Sequence, residues 1–476
     1  MDSSNNPLPS LSAPAETIKP LIQNRGGQHK KTPPGISGFK FLRMMPEFRK
    51  DALQTFMNLW REMGDVFYYK GLYTAFQLTH PVHIEHVLQT NQKNYRKGRS
   101  FSLFKSSIGE GLLTSDGETW LRQRRLAQPA FHRQRIATFA KTMTDATEEM
   151  LGRWQPFAEQ GTPLEINAEM MRLTLGIVGR TLFSTDLTDE AEWAGKALSV
   201  IREHIMRRMF ATLRLPESLP TPRNRKFREA IRMSDEMIYR AIEDRRRRPG
   251  EDTDLLSMLL ESYDEETGEH MNDKQLRDEA MTIIGAGYET ITQALSWTWY
   301  LLSKHPSVER RLRAELAEVL CGRTPTFEDL PKLEYTMMVF EESMRLFPPI
   351  YAMSRTAIHD DEIKGFHIPA NSEIFLFPYI THRHPDFWEN PEGFDPERFS
   401  AEKTASRSRY AYFPFGGGPR QCIGNGFAMM EAQLIIATVA QKYSLQLVPG
   451  HPVVPEASVT LRPRQGILMT LHEATY

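Results

Sequence analysis

The sequence predicts a mainly α fold, with a large helical part and a small β-rich lobe. Three observations carry this reading. Between about residues 118 and 345 apolar residues recur mostly at helical spacing, in stretches such as RIATFAKTMTDATEEMLGRW and QLRDEAMTIIGAGYETITQALSWTWYLLSKH. Strand-like text is confined to short runs outside that span. No fixed-period repeat or long linker divides the chain, so a single unit over 35–476 is expected.

Taken in order, the first thirty or so residues, beginning MDSSNNPLPSLSAPAETIKP, are polar and proline-rich, which predicts a disordered leader over 1–34. VFYYKGLYTAFQLTH (66–80), rich in aromatics and threonine around a central glycine, reads as a β-hairpin. In IEDRRRRPGED (242–252) a helix closes: cations suit its C-terminal dipole and Pro249-Gly250 stops it, so the arginines need no anionic partner. RRMFATLRLPESLPTPRNRKFREA (207–230) reads as a solvent-facing helix pair, with a membrane surface as the alternative contact. Strand-like text returns in EIKGFHIPANSEIFLFPYIT (362–381), YSLQLV and GILMTL.

Among the 476 residues 40% are hydrophobic and 25% charged, ordinary proportions for a globular protein, and a net charge of −1 gives no sign of nucleic acid as partner. Two cysteines, Cys321 and Cys422, cannot build a disulfide framework, and the N-terminus does not resemble a secretory signal. No run approaches the ~20 apolar residues that span a bilayer. A cytoplasmic monomer without a transmembrane anchor is expected.

The segment FPFGGGPRQCIGNGF (413–427) places Cys422 just before the helical text that follows. Helix N-terminal N–H groups favour a thiolate there, Arg420 adds a positive charge two residues away, and glycines let the backbone approach a bulky partner. A metal macrocycle suits this combination. Cys422 as a small buried hydrophobe stays open, as does a nucleophile with one of the 14 histidines as base. Zinc lacks further ligands nearby.

FGGGPRQCIG (415–424) resembles the heme-binding signature of the cytochrome P450 family, with Phe415, Gly418, Arg420, Cys422 and Gly424 in its five slots. The resemblance implies heme b (iron protoporphyrin IX) with Cys422 as axial iron ligand, Arg420 on a propionate and Phe415 beside the sulfur. FEESMRLFPP (340–349) resembles the family's Glu-x-x-Arg pair. Glu342 and Arg345 share a helix face, and Arg398 of PEGFDPERF (391–399) would complete a structural triad. Ala286, Gly287, Tyr288, Glu289 and Thr290 resemble the oxygen-binding motif. That likeness implies that Ala286 and Gly287 lie against the cofactor, Thr290 is catalytic and Glu289 is the proton-relay acid. Trp120 and Arg124 resemble the family's propionate-binding Trp-x-x-x-Arg helix, and Arg355 resembles a further propionate arginine. His384 stands where the family often has aspartate.

These pieces run in family order from about residue 35 to 471. They imply a monooxygenase that hydroxylates or epoxidises a small hydrophobic substrate, with fatty acid first and terpenoid or steroid second. The pocket is expected to draw on Phe101, Phe104, Leu112, Leu113, Ile283, Ile350 and Met353. Electrons are expected from a ferredoxin or flavodoxin-type redox partner with its reductase, docking near Arg122, Arg124 and Arg125. A peroxide-driven enzyme or isomerase of the same fold, and a heme-thiolate sensor without turnover, are the alternatives; the Glu289-Thr290 pair disfavours both.

Overall fold

Asn272 and Gln275 close a capping box and so start the longest helix, Asp273–Lys304. Its residues are apolar or small on most sides, as a helix surrounded by others requires. It packs against Ile166–Phe183, Pro222–Arg247, Glu334–Leu346 and Asn425–Lys442, and these helices enclose the main core. The structure is a computed structural model and describes residues 31–474 except 72, 185–186, 212–215, 249 and 251–253.

The β-rich lobe is a six-stranded sheet in the order Gly35–Ser37, Val66–Lys70, Thr74–Leu78, Glu373–Leu376, Met353–Ala357, Tyr95–Lys97. Its second and third strands are the predicted hairpin, with Val66 opposite Leu78. At the far edge Tyr95–Lys97 runs antiparallel to Met353–Ala357 and sets Lys97 directly opposite Arg355. Of the predicted stretch 362–381, three segments are strands: Asp361–Ile363, Phe366–Ile368 and Glu373–Leu376. Its end is not: Pro378–Thr381 is a short helix, because proline at the first position is pre-set for helix and has no N–H to give a ladder. Tyr443–Leu447 and Leu468–Glu473 pair antiparallel, with Leu164–Glu165 beside them.

Most of the predicted leader lies outside the described residues. Its last part, 31–34, departs from the expectation: Lys31 bridges to Phe366 and the Pro34 carbonyl accepts the Tyr68 N–H at 3.0 Å, so regular pairing starts before residue 35. The arginine run ends the helix Pro222–Arg247 as predicted. Its charges are taken up by Asp254 against Arg245, Asp273 against Arg246 and Glu243 against Arg247. Leu187–Phe210 and Pro222–Arg247 pack together as the helix pair, with 212–215 of its connection outside the described residues. No helix among the described residues is long and apolar enough to cross a membrane.

His384 also acquires a role. Its Nε2 lies 3.1 Å from Asp65, which accepts bonds from Trp60 Nε1 (3.0 Å) and Thr79 Oγ1 (2.9 Å) as well. Burial pushes the Asp65 carboxyl up, but those three hydrogen bonds outweigh it and hold the group well below its ordinary value. The histidine thus ties the hairpin to the segment that leads to the cysteine loop.

Candidate active site

The cysteine loop is shaped by its own backbone and by protein neighbours. Cys422 N–H donates to the Phe415 carbonyl at 3.0 Å and Gly416 N–H to the Phe413 carbonyl at 2.9 Å. Gly416 and Gly418 have φ of +71° and +66°, the left-handed region that favours glycine. A Cβ on Gly417 would stand 2.4 Å from the Tyr410 ring, and one on Gly418 would stand 1.8 Å from the Leu88 carbonyl oxygen. These two glycines are therefore required by protein contacts, and the expectation that a ligand pressed on the backbone explains them is corrected. Gly424 caps the helix Asn425–Lys442 and has only the Phe131 ring near it, at ordinary contact distance.

Cys422 keeps accessible surface although protein packs densely around it. A side chain in the wall of an internal cavity has this character. Burial pushes its thiol up, against the opposing pull of the Gly424 backbone and the Arg124 guanidinium. The charge beside the sulfur is thus Arg124, whose Nη1 also donates to the Gln421 carbonyl at 3.0 Å, and not Arg420. Arg420 lies over the Trp120 ring at 4.2 Å and pairs with Asp116, the N-cap of the helix Gly117–Ala127 that carries Trp120 and Arg124. Phe415 is partly buried against the main core.

Around Arg420, itself half-buried, stand two further cations, the buried Arg355 and the half-buried Lys97. Arg355 is 8% exposed, and burial together with Arg420 lowers it to about 10. Lys97, which sequence reasoning missed, is pushed down to about 7 by burial and by Arg420 and Arg355. Asp116 and Glu279 on Lys97, and Asp116 and Glu373 on Arg355, offset this only in part. Three cations crowded in low dielectric repel one another strongly, so the place is built for an added anion. The two carboxylates of heme meet that requirement, and Cys422 supplies a thiol that a bound metal cation would deprotonate. The residues present fit the group.

On the helix Asp273–Lys304 Ile283, Ala286, Gly287 and Thr290 form one stripe at i, i+3, i+4 and i+7. All four keep accessible surface while Ile284, Tyr288, Glu289, Ile291 and Thr292 are buried, so this stripe faces an internal space. Gly287 is held small by Val178, whose Cγ2 would lie 3.2 Å from a Cβ there. Thr290 Oγ1 donates to the Ala286 carbonyl at 2.7 Å, which leaves its lone pairs toward that space. Glu289 turns to another side. It accepts from Thr460 Oγ1 at 3.0 Å, stands 4.0 Å from Arg202, and is raised by burial.

Glu342 and Arg345 are fully buried and joined by two bonds of 2.6 and 2.8 Å, with Arg398 Nε at 3.3 Å. The triad named from the sequence is therefore assembled. His382 connects it to the cysteine loop: its carbonyl accepts from Arg345 and its Nε2 accepts the Phe413 N–H at 3.0 Å.

The seven residues named for the pocket are all half-buried. Phe101 and Phe104 lie with centroids 6.4 Å apart, and Leu112 and Leu113 sit in a segment held to Lys97 and Glu279. Met353 packs on the β-lobe core near Gly416, and Ile350 lies in the turn before its strand. The proposed docking cations need correction. Arg122 pairs with Glu269 at 3.1 Å, and Arg125 pairs with Asp264 and Glu266, both at 2.9 Å. Their charge is largely neutralised by a turn far off in sequence.

A family profile described as Cytochrome P450 matches residues 33–470. The chain is 37% identical to cyclooctatin synthase of Streptomyces melanosporofaciens over 80% of its length and 83% of that protein. It is 38% identical to cyclooctat-9-en-7-ol 5-monooxygenase of the same organism, over 79% and 81%. Pentalenene oxygenase of Streptomyces avermitilis is 33% identical over 82% and 86%. Among solved structures the cytochrome P450DA heme domain superposes with a TM-score of 0.84 at 28% identity, covering 94% of this chain and 99% of that one.

Proposed function

The chain belongs to the cytochrome P450 family of heme-dependent monooxygenases, and from that premise we propose that its substrate is a polycyclic terpenoid. The observation that carries this is the set of relatives, similar over about four fifths of the chain, named for cyclooctatin, cyclooctat-9-en-7-ol and pentalenene. The reaction is insertion of one oxygen atom from O2 into a C–H bond or across a C=C bond.

Cys422 would hold heme, which would supply the iron for oxygen activation. Arg355, Arg420, Trp120 and Lys97 would hold its carboxylates, and Arg124 would offset the charge of a Cys422 thiolate. Thr290 Oγ1, its own hydrogen committed to Ala286, accepts a hydrogen bond from the cavity and positions a proton there. Glu289, raised by burial, accepts a hydrogen bond from the Thr460 hydroxyl and faces Arg202 on another side of the helix, so it acts as a buried proton holder away from Thr290. Phe101, Phe104, Leu112, Leu113, Ile283, Ile350 and Met353 bind the apolar skeleton and exclude water. Electrons come from a ferredoxin or flavodoxin-type partner, since two cysteines are too few for a four-cysteine cluster.

The test is a spin-state titration of the heme-loaded protein against cyclic terpenes, their monohydroxylated derivatives and fatty acids. A substrate-type shift with a cyclic terpenoid is expected. Shifts with fatty acids alone would overturn the reading in favour of the acyl-chain substrate expected from sequence.

A further inference from the structure

Lys97 holds two parts of the site at once. Its Nζ donates to the carbonyls of Leu112 at 2.7 Å and Leu113 at 2.5 Å. Its backbone N–H donates to Asp116 at 2.8 Å, the carboxylate that also pairs with Arg420, and the register of the sheet sets it opposite Arg355. Like charges facing each other across two strands are unfavourable unless an anion joins them. The segment Lys97 grips is held from the other side by the long helix. Glu279 accepts the Leu112 N–H at 3.1 Å, and Asp278 accepts the Glu110 N–H at 2.9 Å. An ammonium has three donors, and two of these are on the loop carbonyls.

We propose that Lys97 is a positioning residue that couples the binding of the cofactor's carboxylates to closure of segment 109–113 over the substrate pocket. The proposal rests on heme lying against Arg355 and Arg420. A carboxylate arriving there relieves the repulsion among the three cations and keeps Lys97 charged. A charged donor binds the Leu112 and Leu113 carbonyls more strongly than a neutral amine does. The coupling is reciprocal: a closed segment retains the carboxylates more tightly by the same factor. Leu112 and Leu113 therefore take up their substrate-facing positions with the cofactor in place.

Hydrogen exchange of amides 109–114, followed in heme-free and heme-loaded protein, reads the coupling directly. Heme loading is expected to raise protection about five- to hundredfold in the wild type, the usual range of coupling between sites. Lys97→Met should abolish the gain and Lys97→Arg should restore part of it. Glu279→Ala frees the segment and also removes one acid from Lys97. It should speed heme loss to apomyoglobin more than Glu279→Gln, which removes the charge but keeps an acceptor for the Leu112 N–H, and should add little to a Lys97→Met background. Unchanged protection on heme loading, or heme loss unaffected by Glu279→Ala, overturns the coupling. Should Lys97→Met fail to keep heme, the Glu279→Ala transfer rate alone decides. A wild type without a thiolate-type carbon monoxide spectrum would instead mean that the heme site itself is misassigned.

Discussion

Arg345 spends every N–H it has. Its five donors go to Glu342 Oε2 (2.6 Å) and Oε1 (2.8 Å) and to the carbonyls of His382 (2.9 Å), Pro391 (2.6 Å) and Gly393 (2.7 Å). Arg345→Lys keeps the charge and leaves three donors on a single nitrogen, so at least two buried acceptors lose their partner. At ~1–3 kcal/mol for each unmet buried group the loss is about 2–6 kcal/mol. Glu342 retains Arg398 and the Asp395 N–H, so the damage falls chiefly on the carbonyls. One of these belongs to His382, whose ring receives the Phe413 N–H at the start of the cysteine loop. Urea unfolding of the heme-loaded variant should show a loss in that range. The thiolate-type carbon monoxide signal should also fade at a denaturant concentration below the global transition. A loss under about 1 kcal/mol with the spectrum unchanged would refute the bracing role and reduce the pair to the worth of a surface ion pair.

Thr290→Ala removes the acceptor that faces the cavity and is expected to raise peroxide release per NAD(P)H consumed; coupling equal to wild type would exclude Thr290 from proton positioning. Gly418→Ala sets a Cβ on the Leu88 carbonyl and forces a left-handed φ. Strain of ~1–3 kcal/mol plus displacement of the loop should lower the thermal midpoint and heme retention together, and a normal midpoint would contradict the geometry. His382 is held well below the ordinary imidazole value by burial and by Arg345 and Arg383. On acidification the unfolded chain takes up this proton first, so stability should fall as pH drops below about 6.5. His382→Gln should make that fall shallower, and identical pH slopes in unfolding midpoints would dismiss His382 as its source.

What was legible in the sequence is what neighbours along the chain decide. Cys422 at a helix entrance, Glu342 and Arg345 on one face, and the i, i+4 pair Trp120 and Arg124 all follow from local spacing, and the structure has each as read. What those side chains meet was not legible. Trp120 lies under Arg420, and Arg124 meets the Gln421 carbonyl, through contacts that only the tertiary fold creates. The glycine run shows the same limit: glycine's freedom was evident, but its reason, the Leu88 carbonyl and the Tyr410 ring, lay on other segments. Arg122 and Arg125 read as free cations in the sequence because the acids that pair with them, at 264, 266 and 269, come from a distant turn. Glu289 and Thr290 are adjacent in sequence yet face different surroundings, since each step along a helix turns the side chain about 100°.

Charge is where the gap between sequence and site is widest. A net charge of −1 describes a surface on which most charges are screened within about 10 Å at moderate salt. It says nothing of Lys97, Arg355 and Arg420, which are partly or wholly withdrawn from water and only partly offset by Asp116, Glu279 and Glu373. Their mutual repulsion survives because water is excluded, and it is tolerated because the register of Tyr95–Lys97 on Met353–Ala357 and the packing of the cysteine loop fix them together. A fold that spends stability in this way recovers it from an anion bound at that place, so heme is part of the structure as much as of the chemistry. Heme release should then cost global stability as well as activity, by the mass-action term for any ligand that binds only the folded chain.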